Sequence, residues 1–173
     1  MRRPPIAFVL AAAAVLLYSC TYSEQSPATV ANTPTTSPIS PQEYTYSVVA
    51  RYPHDPGAFT QGLDYDGGIL YEGTGRVGQS SLRKVDLKSG KVQQMEEVPP
   101  PFFGEGVTTF GDRIFQLTWQ SKVGFVYDKA TLRPLRKFNY ATEGWGLTHD
   151  GKRLIMSDGT RTLYYLDPET LEV

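Results

Sequence analysis

From residue 60 onward, apolar and polar positions alternate in short runs separated by turns rich in glycine and aspartate, which is the pattern of β-strands rather than helices. The same succession of runs occurs three times. Each copy opens on a glycine-flanked position: Thr60-Gln61-Gly62-Leu63, Phe103-Gly104-Glu105-Gly106-Val107 and Gly144-Trp145-Gly146-Leu147. A turn follows, reading Asp66-Gly67-Gly68, Gly111-Asp112-Arg113 or Asp150-Gly151-Lys152, and then a second run: Ile69-Leu70-Tyr71-Glu72, Ile114-Phe115-Gln116-Leu117 or Leu154-Ile155-Met156-Ser157. A third run ends in Val85-Asp86, Tyr127-Asp128 or Leu166-Asp167 and leads through a further turn into a short last strand. Positions 61, 105 and 145 recur at about 40 to 44 residues, the length of one four-stranded propeller blade. The predicted fold class is therefore all-β, a β-propeller of which about three blades are present. Ahead of the first copy, Tyr44 to Arg51 also alternates and predicts a strand, of the kind that in closed propellers completes the blade made by the other terminus.

The beginning of the chain reads differently. Arg2 and Arg3 precede an apolar stretch from Ile6 to Leu17, too short to span a bilayer comfortably, so residues 1–19 are expected to be a signal peptide. Leu17-Tyr18-Ser19-Cys20 has the arrangement of a bacterial lipobox, although Tyr18 is an unusual occupant of its position. Cys20 is the single cysteine of the chain and cannot form an internal disulfide, which suits a lipid attachment point. Residues 20–43 are rich in Ser, Thr and Pro and read as a solvated linker. The expected product is exported, periplasmic or at the cell surface, with Cys20 as its membrane anchor.

Composition narrows the classes. A net charge of −1 provides no electrostatic footprint for nucleic acid. Gly 16, Pro 13 and Tyr 11 in 173 residues suit a β-rich chain with many tight turns. The two histidines, His54 and His149, lack metal-ligand spacing, so no metal site is expected from them. Gly73-Thr74-Gly75 lacks the third glycine and the helix of a dinucleotide fingerprint, and no phosphate loop or nucleophile elbow is present.

The motifs Phe59-Thr60-Gln61-Gly62-Leu63, Phe103-Gly104-Glu105-Gly106-Val107, Leu117-Thr118-Trp119 and Glu143-Gly144-Trp145-Gly146-Leu147, followed by Ser157-Asp158-Gly159-Thr160, resemble those of the plant and bacterial glutaminyl cyclases, also called glutamine cyclotransferases. The resemblance covers Tyr44 to Val173. It implies a five-bladed propeller that converts the N-terminal glutamine of a peptide or protein to pyroglutamate and releases ammonia, distinct from the zinc-dependent animal type. It also implies about two further blades supplying an asparagine, a tryptophan and a lysine, so that the sequence reads as a truncated form. No cofactor is required, while the family leaves room for a structural cation in the channel.

In that reaction the α-amine loses a proton and the carboxamide nitrogen gains one, at the same tetrahedral carbon, so one carboxyl group can serve both transfers. Glu105 is the candidate. By the resemblance, Phe59, Gln61, Trp119 and Trp145 bind substrate: the aromatic faces attract its ammonium and lower the local polarity, and Gln61 hydrogen-bonds its amide or backbone. Each has a structural alternative. The tryptophans could be inter-blade core, Phe59 packing, Gln61 a turn cap and Glu105 a solvated strand end; what favours a site is that positions 61, 105 and 145 share one place in the repeat. Asp158-Gly159-Thr160 reads as a turn in preference to a cation ligand. The alternative function is a non-catalytic peptide-binding module on the cell surface.

Overall fold

The computed structural model describes residues 41–173, within which one compact unit runs from Tyr46 to Val173. Its strands form three antiparallel meanders. The first sheet holds β1 (Thr60–Asp66), β2 (Ile69–Thr74), β3 (Ser81–Asp86) and β4 (Val92–Glu97) in that order. The second holds β5 (Gly104–Phe110), β6 (Arg113–Thr118), β7 (Val123–Asp128) and β8 (Pro134–Asn139), and the third β9 (Leu147–His149), β10 (Leu154–Ser157) and β11 (Leu163–Leu166). Each is the meander of a propeller blade, as the repeat predicts. The sequence segment 1–19, Cys20 and the linker as far as residue 40 lie outside the described residues.

Two predicted strands do not form. Tyr44 to Arg51 is exposed and pairs with no strand among the described residues; alternation suits a strand, but a ladder also needs a neighbouring edge. The short strand expected after Leu166-Asp167 is also missing, although its turn is made. In that turn the Asp167 amide donates to Glu172 O at 2.9 Å, as Asp86 does to Lys91 O and Asp128 to Arg133 O at the corresponding places.

Those three turns explain the repeated aspartates. Oδ1 of Asp86 accepts from Ser89 N and Oγ, that of Asp128 from Thr131 N and Oγ1, and that of Asp167 from Glu169 N and Thr170 N. These bonds cap the turn and hold each carboxyl below the usual carboxylate range. The fourth residue after each aspartate start lies in the left-handed region: Gly90, Leu132 and Leu171, with φ of 67°, 58° and 63°. At Gly90 a side chain is excluded, because an added Cβ would lie 2.3 Å from Pro53 O. Leucine occupies the other two places with a strain of about 1–2 kcal/mol. That strain is offset by burial, since each side chain is almost wholly enclosed and such burial stabilises by about 2 kcal/mol.

The middle sheet is covered on both faces, which is why β7 is apolar from Val123 to Tyr127 and β6 carries Ile114, Phe115 and Leu117. Ile114, Phe125 and Tyr127 pack with Tyr71, Leu82 and Leu132 toward the first sheet, while Phe115, Leu117 and Val126 pack with Leu154, Met156 and Leu166 toward the third. With the buried Thr118, Gln116 is a polar member of β6. Fully buried, it accepts a hydrogen bond from Tyr127 Oη at 3.0 Å. His54, set aside as a metal ligand, instead bonds the buried Glu72, 2.8 Å from its Oε1, while Arg83 Nη1 donates to Asp55 at 2.9 Å. These contacts tie the segment before β1 to the first sheet.

Along the innermost strands the backbones nearly touch. A Cβ on Gly62 would lie 2.5 Å from Val107 N, and one on Gly106 would lie 2.4 Å from Trp145 O. Gly106 N–H donates to Trp145 O at 2.8 Å, and Asp64 Oδ2 accepts from Thr109 N and Oγ1. The glycines of the repeat thus let β1, β5 and the entry to β9 converge.

Candidate active site

Strand pairing is interrupted at the same place in the first two sheets. The register of β1 against β2 shifts between Thr60 and Gly62, and that of β5 against β6 shifts between Gly104 and Val107. Gln61 and Glu105 therefore sit on β-bulges, which turn a side chain out of the ladder and aim it elsewhere. Here both aim at one another: Gln61 Nε2 donates to Glu105 Oε1 at 3.0 Å. Trp145 stands immediately ahead of β9, its N–H bonded to Ser157 O at 3.0 Å. Trp119 leaves the end of β6 with its N–H on Phe103 O at 3.0 Å.

Gln61, Glu105, Trp119 and Trp145, with Phe103 and Gly146, line one cleft of about 460 Å³. The three equivalent repeat positions thus meet, as the sequence predicts, and Trp119 joins them. Phe59 does not line the cleft. Its ring meets the edge of Phe103 at 6.2 Å and lies under the Arg76 guanidinium, 4.7 Å from Cζ, so it backs the wall. Phe103 in turn meets Trp119 at 5.8 Å. Gly75 keeps room for that stack, because a Cβ there would fall 2.4 Å from the Phe103 ring.

Burial in this cleft pushes the Glu105 carboxyl up to about 7; the Gln61 hydrogen bond opposes the rise and the negative charge of Glu143 adds to it. A carboxyl group in that range can exchange a proton in either direction at neutral pH. Glu143 is held below the usual carboxylate range by the Trp145 and Trp119 indoles, which both donate to it. Asp158 forms a turn, as predicted: Oδ1 accepts from Thr160 N and Oγ1, and Oδ2 accepts from Tyr164 Oη. Gly159 in that turn has φ of 79° and lies against the Trp145 ring, where a Cβ would approach to 2.8 Å. Among the described residues no group of three or more His, Cys, Asp or Glu is placed to hold a metal ion.

A larger recess, about 570 Å³, lies elsewhere, lined by Pro99, Pro100, Phe125, Pro134 and Leu135 among others. The smaller cleft is the better candidate because an amide donor, a carboxyl group of raised affinity for protons and two indoles converge there.

Phe103 and Glu143 are absent from the sequence-derived site. Both carried a signal: they stand two residues ahead of the repeat positions 105 and 145, as Phe59 stands two ahead of 61.

The chain is 52% identical over 128 residues to a glutaminyl-peptide cyclotransferase of Arabidopsis thaliana, a match covering 73% of this chain and 40% of the relative. Among solved structures it is similar to glutaminyl cyclase of Myxococcus xanthus, with a TM-score of 0.67 and 34% identity, covering 73% of this chain and 53% of that one. The hydrazine synthase of Kuenenia stuttgartiensis shares the fold alone, at a TM-score of 0.52 and 19% identity over 75% of this chain and 38% of that one. This sequence therefore spans about half the length of the relatives it matches, or less. A family model described as glutamine cyclotransferase matches residues 12–173, and the chain belongs to that family.

Proposed function

We propose that this chain supplies the acid–base centre of a glutaminyl-peptide cyclotransferase acting on peptides or proteins with N-terminal glutamine. The observation that carries the reading is the Glu105 carboxyl, pushed up to about 7 and held by the Gln61 amide in a cleft walled by two indoles. The substrate's α-amine attacks its own side-chain carboxamide carbon, forming the ring C–N bond. Glu105 takes a proton from that nitrogen and passes it to the departing amide nitrogen. The C–N bond to the side-chain nitrogen then breaks, ammonia leaves, and Glu105 is again a carboxylate. Trp119 and Trp145 present aromatic faces to the substrate's ammonium before it loses its proton. Gln61, with donors and an acceptor on a neutral group, orients both Glu105 and the substrate amide. No cofactor enters these steps.

Ammonia release from a glutaminyl dipeptide tests the reading. The expected kcat/KM rises as pH increases through about 7, because the base form of Glu105 is the one that accepts the proton. A rate that stays flat from about pH 6 to 8 would sink the assignment of Glu105.

Export with lipid attachment at Cys20 belongs to the same proposal. Its support is the sequence alone: Arg2 and Arg3, the apolar stretch to Leu17, and Leu17-Tyr18-Ser19-Cys20. Replacing the thiol in Cys20→Ser is expected to abolish incorporation of labelled fatty acid and to release the protein from the membrane fraction. Membrane retention and labelling unchanged in that variant would show that Cys20 is not the anchor.

A further inference from the structure

Both indole N–H groups of the cleft end on one oxygen. Trp119 Nε1 donates to Glu143 Oε2 at 2.8 Å and Trp145 Nε1 donates to the same atom at 3.0 Å, while Gln120 Nε2 approaches Oε1 at 3.4 Å. Trp119 belongs to the end of β6 and Trp145 to the entry of β9, so a single carboxylate joins the two aromatic walls across the boundary between sheets. Packing alone leaves these rings underdetermined. They are 36% and 47% exposed, with Phe103 against the first and Gly159 against the second. An indole has one donor and no acceptor, so fixing its N–H fixes the direction in which the ring points. Among the described residues Glu143 forms no ion pair, so its contacts are with the indoles and Gln120 rather than with a cation.

We propose that Glu143 is a positioning residue: it clamps the indoles of Trp119 and Trp145 at the spacing that receives the N-terminal glutamine residue of the substrate. The identity of that ligand rests on the cyclase reading above; the clamp itself does not.

Two substitutions separate the hydrogen bonds from the charge. Glu143→Gln keeps an oxygen able to accept both indole N–H groups, whereas Glu143→Ala removes the acceptor. Trp119 and Trp145 are the only tryptophans of the chain, so its intrinsic fluorescence reads the clamp directly. In Glu143→Ala the emission is expected to shift to the red and acrylamide quenching to rise about twofold as the freed rings meet water, with Glu143→Gln close to the parent. With a glutaminyl dipeptide, Glu143→Ala is expected to raise KM about tenfold and change kcat less than about threefold, Glu143→Gln recovering most of the loss.

Unchanged fluorescence in Glu143→Ala would overturn the clamp. So would a Glu143→Gln variant as impaired as the alanine, since charge rather than the shared acceptor would then be what matters. A fall in kcat with KM unchanged would overturn the positioning role as well. If the parent releases no ammonia while the alanine variant still shows the spectral change, the cyclase reading fails and the clamp stands.

Discussion

Glu105→Gln is expected to lower turnover by about a thousandfold while making the folded chain more stable above neutral pH. Glutamine has the size of glutamate and keeps an oxygen where Gln61 Nε2 now donates at 3.0 Å, so the bulged backbone and the cleft have no reason to rearrange. What disappears is the exchangeable proton. The stability change follows from the direction of the shift. Folding raises the Glu105 carboxyl from its ordinary value of 4.5 to about 7, so between those values the folded chain holds the proton more firmly than the unfolded chain does. Stability contributed by that proton is complete below about 4.5 and is lost as pH climbs to about 7. Above that the parent carries a desolvated carboxylate and the glutamine variant does not. Melting temperatures should therefore agree at pH 4 and diverge at pH 8, the variant melting higher. Parental ammonia release, or a variant that melts lower at pH 8, would each count against Glu105 as the desolvated acid–base group.

Loss of activity together with a gain in stability is what separates a functional carboxylate from a structural one. Asp86 and Asp128 make the contrast within the same chain. Each accepts hydrogen bonds from its own turn and is held below the usual range, so removing either carboxyl would subtract stability at neutral pH. All of these acids lie at repeated positions, and repetition alone does not tell them apart. The difference is local: the turn aspartates are followed by Ser89 and Thr131, which bond them, whereas Glu105 lies between glycines that bring no side-chain partner.

The same distinction explains which features could be read from the sequence. Strand runs, turn pairs and the alignment of positions 61, 105 and 145 were legible because each is set by local chemistry repeated in phase. In the middle sheet, burial on both faces leaves β7 almost wholly apolar, whereas β6 keeps Arg113, Gln116 and Thr118. The strand predicted at Tyr44 to Arg51 failed because pairing depends on an edge that alternation does not encode. Phe59 packs behind Phe103, a layering that motif order does not encode. Glu143 escaped because its role arises from two tryptophans on different sheets meeting one oxygen, a coincidence in space with no local period beyond the offset of two residues.

Gly106→Ala is expected to destabilise the unit by about 3 kcal/mol, a large part of the margin by which ordinary domains stay folded. The cause is contact rather than backbone angle. Gly106 is not among the glycines of positive φ, so alanine can adopt its conformation, but the new methyl would fall 2.4 Å from Trp145 O, 2.6 Å from Leu147 N and 2.9 Å from the Gly146 carbonyl carbon. These are backbone atoms of the next inner strand, which cannot swing aside as a side chain can. The two strands must part, lengthening the 2.8 Å bond from Gly106 N–H to Trp145 O and drawing Trp145 away from Glu143. Substrate binding should therefore weaken even where the variant remains folded. Gly111→Ala supplies the comparison: its φ is 61° and nothing lies within 4 Å of the added carbon, so only the backbone strain of about 1–2 kcal/mol applies. Urea denaturation of the two variants decides between the causes. A Gly106→Ala midpoint well below that of Gly111→Ala places the cost in the close approach of β5 to the entry of β9, whereas equal midpoints would mean that the inner strands can separate at little expense.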